Sequence, residues 1–157
     1  MNLPPQFAPG YRKVLGRHRF AEAEIIRFAE KFDPQPFHLD PEAARKSVLG
    51  GLCASGWHTV AVWMRYYRLN EERLAEELKE QGYSAAEFGP SPGIEQLRWI
   101  RPVYVDDMIT YTNEITQCRA SASKKGWYVV TSSSSGVNQD DKPVISFSGA
   151  AFIRYPA

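Results

Sequence analysis

The sequence predicts one α+β domain in which an antiparallel sheet wraps around a long central helix. Three observations carry that expectation. A lone strand pattern opens the chain, helical patterns with one markedly apolar stretch fill its middle, and strand-like segments follow one another from Ile94 onward. The 157 residues suit a single domain with a substantial core, and neither an internal repeat nor a domain linker interrupts them.

Taken in order, residues 1–10 hold three prolines and a glycine and read as an irregular N-terminal arm. Residues 11–157 form the domain. Tyr11 to Phe20 is a strand carrying Val14 and Leu15. From Ala21 the period changes, and Ile25, Phe28, Ala29 and Phe32 recur at helical spacing among charged residues. Asp33-Pro34 stops this helix, because the residue before a proline is driven out of the α region. Pro34 and Pro36 are expected to keep the next residues extended. Asp40-Pro41-Glu42 starts a short second helix, with Asp40 as N-cap and Pro41 at the first helical position.

Gly50 and Gly51 end that helix, and Ser55-Gly56 opens the next. Residues 57–69 are apolar nearly all round, without an Asp or Glu between Ser55 and Asn70, and predict a buried helix. A charged, exposed helix continues over 71–81, and Gly89-Pro90-Ser91-Pro92-Gly93 breaks the pattern. Four strands follow at Ile94–Val103, Met108–Arg119, Trp127–Val137 and Val144–Tyr155, with turn signals between them. A sheet so built has open edges, and a homodimer or larger homo-oligomer is the expected way to cover them.

Composition narrows the class of function. Apolar residues make up 43% and charged residues 24%, and 19 basic against 18 acidic residues leave a formal charge of +1. That balance gives no reason to expect nucleic acid or an anionic membrane as partner. Cys53 and Cys118 lack metal or redox spacing and read as reduced thiols, so no metal is expected. The N-terminus lacks a signal-peptide pattern and no apolar run reaches membrane-spanning length, which makes a cytoplasmic protein the expectation.

The stretch that carries chemistry is Phe32-Asp33-Pro34-Gln35-Pro36-Phe37-His38. An acid and a histidine five residues apart lie on a proline-stiffened link between two helices, among apolar neighbours. Brought to one pocket, a carboxylate and an imidazole can hold a water, polarise it and pass its proton. Read singly, Asp33 ends a helix and His38 is a loop histidine. Asp40 is a cap.

The segment resembles the Asp-x-Asn-Pro-(aliphatic)-His signature of MaoC-like, (R)-specific enoyl-CoA hydratases. The Leu-Asp-Pro-Glu-Ala-Ala and Gly-Gly-Leu-Cys-Ala-Ser-Gly-Trp segments, and Arg-Trp-Ile-Arg-Pro-Val before Asp106-Asp107, are similar to the stretches that flank the central helix in that family. The resemblance spans residues 11–155 and implies a hotdog fold. It further implies catalysis by Asp33 and His38, with the Gly56 amide holding a thioester carbonyl. The implied reaction belongs to fatty acid metabolism: reversible hydration of a trans-2-enoyl thioester, coenzyme A being part of the substrate and no separate cofactor being needed. The chain departs from the family pattern at Gln35, where Asn is usual, and at the helix entrance, where Ser55-Gly56-Trp57-His58 stands in place of His-Gly.

Around that entrance two readings stay open for His58, a core histidine or a pocket-lining one. Ser55 is an N-cap that can also face substrate, and Trp57 is core or part of the substrate site. Arg65, Arg68, Arg98 and Arg101 are solvated arginines or phosphate contacts for an acyl-CoA. The rival functions are a hotdog thioesterase, against which the acid-free helix argues, and a non-catalytic acyl-thioester binding subunit.

Overall fold

A computed structural model describes residues 3–155. Six strands among these residues form one antiparallel sheet, β1 (Arg12–Arg19), β2 (Glu87–Phe88), β3 (Gly93–Trp99), β4 (Met108–Ala120), β5 (Trp127–Val137) and β6 (Pro143–Arg154). The spatial order runs β1-β4-β5-β6, with β2 and β3 both paired to β6. Strands β4, β5 and β6 are consecutive hairpins. The first strand joins the far edge beside β4, so the sheet is assembled from both ends of the chain.

Four helices lie between β1 and β2: α1 (Glu22–Phe32), α2 (Pro36–Leu39), α3 (Pro41–Lys46) and α4 (Gly56–Glu80). Period-two burial along β4 turns Ile109, Tyr111, Asn113 and Ile115 toward α4. The N-terminal half of α4 packs Val62 and Trp63 with Leu15, Phe20, Tyr111 and Phe147, and its C-terminal half packs Leu74 and Leu78 with Phe7, Tyr128 and Ile153. Close approach of helix to sheet depends on Gly16, beside a register shift in β1, because a Cβ there would occupy the Tyr66 ring. Asn113 is buried beneath the sheet and donates to the Ser132 and Ser134 hydroxyls at 2.9 Å each, which satisfies the polar atoms that interrupt the apolar lining. This curled sheet around a long helix is the hotdog fold.

The helical stretches read over 57–69 and 71–81 run on as one continuous α4, because no Pro or Gly interrupts Trp57 to Gln81. Four other expectations need correction. That helix is not buried all round: Trp57, Ala61, Met64, Arg65 and Arg68 lie on an exposed face. The residues after Pro34 are not simply extended, since Pro36–Leu39 closes a helical turn with Pro36 at its start, where a missing N–H is harmless. Within the arm expected to be irregular, Pro5–Phe7 forms a 3-10 turn that buries Gln6 and Phe7, while residues 1 and 2 lie outside the described region. Strand β3 also stops at Trp99, ahead of Arg101-Pro102, and the two-residue β2 is too short to leave a pattern. Among the described residues no helix is long and apolar enough to cross a membrane.

Candidate active site

Asp33 is the residue that ends α1. Its amide still bonds to the Ala29 carbonyl at 2.9 Å, but its φ of −154° leaves the helical region, as the following proline demands. Two residues later the chain turns back: the His38 amide bonds to the Gln35 carbonyl at 2.9 Å, closing α2. That single turn reverses the side chain of His38 toward Asp33. Their separation is 3.3 Å, from Asp33 Oδ2 to His38 Nε2.

Each partner is held from behind. Gln35 Nε2 donates to Asp33 Oδ1 at 2.7 Å, so the residue that departs from the family signature orients the carboxylate. His38 is 6% exposed, and its Nδ1 lies 2.6 Å from the Cys53 carbonyl. A carbonyl can only accept, so Nδ1 carries a proton and Nε2 is the nitrogen free for chemistry. Asp33 is poised as an anion. Burial works to raise its pKa, but the nearby Ser55 hydroxyl, the Gln35 amide and His38 together hold it below the ordinary 3.8. A base facing an imidazole of fixed tautomer can bind a water at the apex of a triangle whose base is this 3.3 Å contact.

A cleft of about 260 Å³ opens beside the pair, lined among others by His38, Cys53, Gly56, Thr59, Trp99 and Arg101. Gly56 is the first residue of α4, where amides have no partner within the helix and the helix dipole favours negative charge. Glycine is required at this position, because a Cβ would collide with the Trp99 indole. Asp33 does not line the cleft but meets it through His38. A larger hollow of about 320 Å³ lies against Pro92, Glu95, Thr131 and Ser148, and contains neither an acid–imidazole pair nor a helix start. The His38 imidazole and the start of α4 both line the smaller cleft.

The structure brings together Asp33, His38 and Gly56, and treats the other candidate residues differently. Ser55 is fully buried at the N-cap position but makes no capping bond, and its hydroxyl lies close to the Asp33 carboxylate. Trp57 does not line the cleft: it is 55% exposed and meets Trp99 edge to face at 5.1 Å. His58 does not line it either. Its imidazole is buried on the opposite side of the first turn, 3.5 Å from Glu24 and stacked on Phe28. Of the four arginines, Arg101 lines the cleft and donates to the Pro143 carbonyl, whereas Arg68 pairs with Glu71 and Glu72. The part of the site missing from the sequence reading is the Cys53 carbonyl, which a backbone role hides, and Trp99, which sits 42 residues along the chain from Trp57 and gave no local signal.

Similarity to known proteins identifies the family. The chain matches the family model described as MaoC like domain over residues 8–137. A MaoC-like dehydratase from Rhodospirillum rubrum is 34% identical, with a TM-score of 0.77 over 96% of this chain and 94% of that one. The fold is shared with the (R)-hydratase from A. caviae involved in PHA biosynthesis, at 20% identity and a TM-score of 0.67, covering 98% of this chain and all of that one. A curated relative, the uncharacterized protein YdeM of Bacillus subtilis, is 27% identical over 108 residues, 69% of each chain. The chain belongs to the MaoC-like domain family.

Proposed function

We propose that this protein is a hydro-lyase that adds water reversibly across the double bond of a trans-2-enoyl thioester, with coenzyme A as the carrier. The observation that carries the reading is the 3.3 Å approach of Asp33 Oδ2 to His38 Nε2 beside the free amino end of α4. The water oxygen bonds to C3 while the pair takes up its proton. The π electrons move toward the thioester oxygen, and a proton delivered to C2 completes the addition. The Gly56 amide receives the thioester oxygen as charge develops there, a role worth roughly 3–4 kcal/mol of barrier for one such donor. The reaction is redox-neutral, so a nicotinamide or flavin has no part in it.

The thioesterase alternative needs an acid on the central helix near the substrate. The first carboxylate of α4 is Glu71, four turns from Gly56. A second copy of the chain completes the assembly: one edge of β3 is open, and Trp57, Met64, Ile94, Trp99 and Ile100 form an exposed apolar face next to it.

The test is a panel of enoyl-CoAs followed by loss of the conjugated double bond's absorbance. Asp33→Asn and His38→Gln should each lower turnover by roughly 10²–10⁴-fold, the usual contribution of a positioned acid or base. Near-normal hydration by either variant refutes the assignment, and release of free thiol in place of hydration moves it to hydrolysis. Binding of acyl-CoA without absorbance loss marks a non-catalytic subunit.

A further inference from the structure

A second cluster of titratable groups lies on the far side of the first turn of α4. Glu24 Oε1 stands 2.8 Å from His18 Nε2 and 3.5 Å from His58 Nε2. His18 reaches from β1, Glu24 from α1 and His58 from α4, so one carboxylate oxygen ties three elements together. Tyr66 closes the cluster from the next turns of α4, and Tyr111 of β4 anchors the same turn by donating to the Thr59 carbonyl at 2.8 Å.

The single hydroxyl proton of Tyr66 goes to the Arg17 carbonyl at 2.9 Å, so its oxygen accepts from His18 Nδ1 at 3.3 Å. His18 Nε2 faces the Glu24 carboxylate oxygen at 2.8 Å, so both ring nitrogens of His18 find partners. His58 is different. Its Nδ1 is buried without a partner, and the ring is 4% exposed. Burial lowers its pKa against the raising influence of Glu24, and His18 adds to the fall, so His58 is neutral and offers Nε2–H to Glu24.

The placement of His58 gives this cluster its consequence. Its ring stacks on Phe28 at 4.6 Å, Phe28 packs on Phe32 at 5.0 Å, and Phe32 immediately precedes Asp33. Glu24, Phe28 and Phe32 are spaced four apart and share one face of α1. His58 therefore docks the first turn of α4, which carries Gly56, onto the face of α1 that leads to Asp33. A core histidine kept only for packing would not need to share a carboxylate oxygen with a second histidine.

We infer that Glu24 is a positioning residue: by gripping His58 it fixes the first turn of α4 against α1 and so holds the Gly56 amide in place relative to the Asp33–His38 pair. The catalytic consequence of this inference rests on the hydratase reading, but the mechanical one does not. Glu24→Gln keeps the shape and removes the charge. In the full-length protein, amide hydrogen exchange at His58 and Thr59, whose N–H groups bond to the Ser55 carbonyl, should lose about tenfold or more in protection. Protection at Leu74 and Leu78, buried at the other end of α4, should hold. Asp33→Asn should leave all four unchanged. In an active preparation Glu24→Gln should lower kcat by about tenfold with KM within about twofold, because the amide acts on charge present only in the transition state. Unchanged protection at His58 and Thr59, or equal loss at Leu74 and Leu78, overturns the inference. An inactive wild type defeats the hydratase reading alone, since exchange still decides this one.

Discussion

Gln35 Nε2 and His38 Nε2 occupy different oxygens of the same carboxylate: Gln35 donates to Asp33 Oδ1 at 2.7 Å, and His38 stands 3.3 Å from Oδ2. The division of labour is a consequence of the α2 turn, which puts both side chains on the Asp33 side of the link. A charge-assisted bond of this kind contributes about 1.5–3 kcal/mol. Gln35→Ala should therefore cost about tenfold in kcat with KM little changed, and lower the thermal midpoint by a few degrees. Steady-state kinetics on an enoyl-CoA checks it. A loss confined to KM would place Gln35 in substrate binding.

Asp33 also makes acid stability informative. Its folded pKa lies below the ordinary 3.8, so the unfolded chain binds the proton first as pH falls. The stabilisation is fully present above the ordinary value and is lost as pH drops through the folded one. The gap in urea unfolding between wild type and Asp33→Asn should accordingly narrow in acid below 3.8. A gap that stays unchanged on acidification well below that value would mean that the fold does not favour the ionised Asp33 carboxylate.

How much of this was legible beforehand depends on the range of the interactions. Strands β4, β5 and β6 follow local alternation and turn residues, and their ends were readable to within a residue or two. The Asp33–His38 pair was readable because both groups sit on one short segment whose prolines dictate its path. The exposure of Trp57 and Met64 was not, because an apolar side chain reads the same whether it faces a core or a partner subunit. Nor was the direction of His58, since a helix position adjacent to Gly56 points elsewhere after a rotation of about 200° over two residues. Glu24 read as one more charged residue of an amphipathic helix. Its two histidine partners lie 6 and 34 residues away, beyond any local pattern.

The Cys53 thiol lies in the cleft, 3.7 Å from His38 Nδ1, a position that invites a nucleophilic role. Its chemistry opposes one. Burial first and the Asp33 charge second push the thiol up to about 11, so it remains protonated near neutrality. The Cys118 thiol is likewise raised by burial. Iodoacetamide should modify the native protein slowly at both cysteines and the unfolded protein rapidly at both. Selective fast labelling of Cys53 in the native protein would contradict its place as a passive part of the wall.

The contact between Trp57 and Trp99, at 5.1 Å edge to face, joins the exposed face of α4 to the open strand β3. Trp57 and Met64 are two helical turns apart on that face, and Met64 shares a small hollow with Ile94 of β3. The result is one continuous apolar surface alongside unpaired backbone donors and acceptors. An antiparallel edge can pair with its own copy about a two-fold axis, and doing so buries both tryptophans. The cleft lies next to this surface, because Trp99 belongs to both. The purified protein should therefore run as a dimer or a multiple of one in sedimentation. Trp57→Glu should shift it toward monomer while the circular dichroism of the fold persists, since Trp57 is 55% exposed and outside the core. In a dimer that shields Trp99, activity should fall with dimer content and return as protein concentration rises. A wild-type monomer with full activity at micromolar concentration would show that neither the open edge nor the apolar face serves self-association.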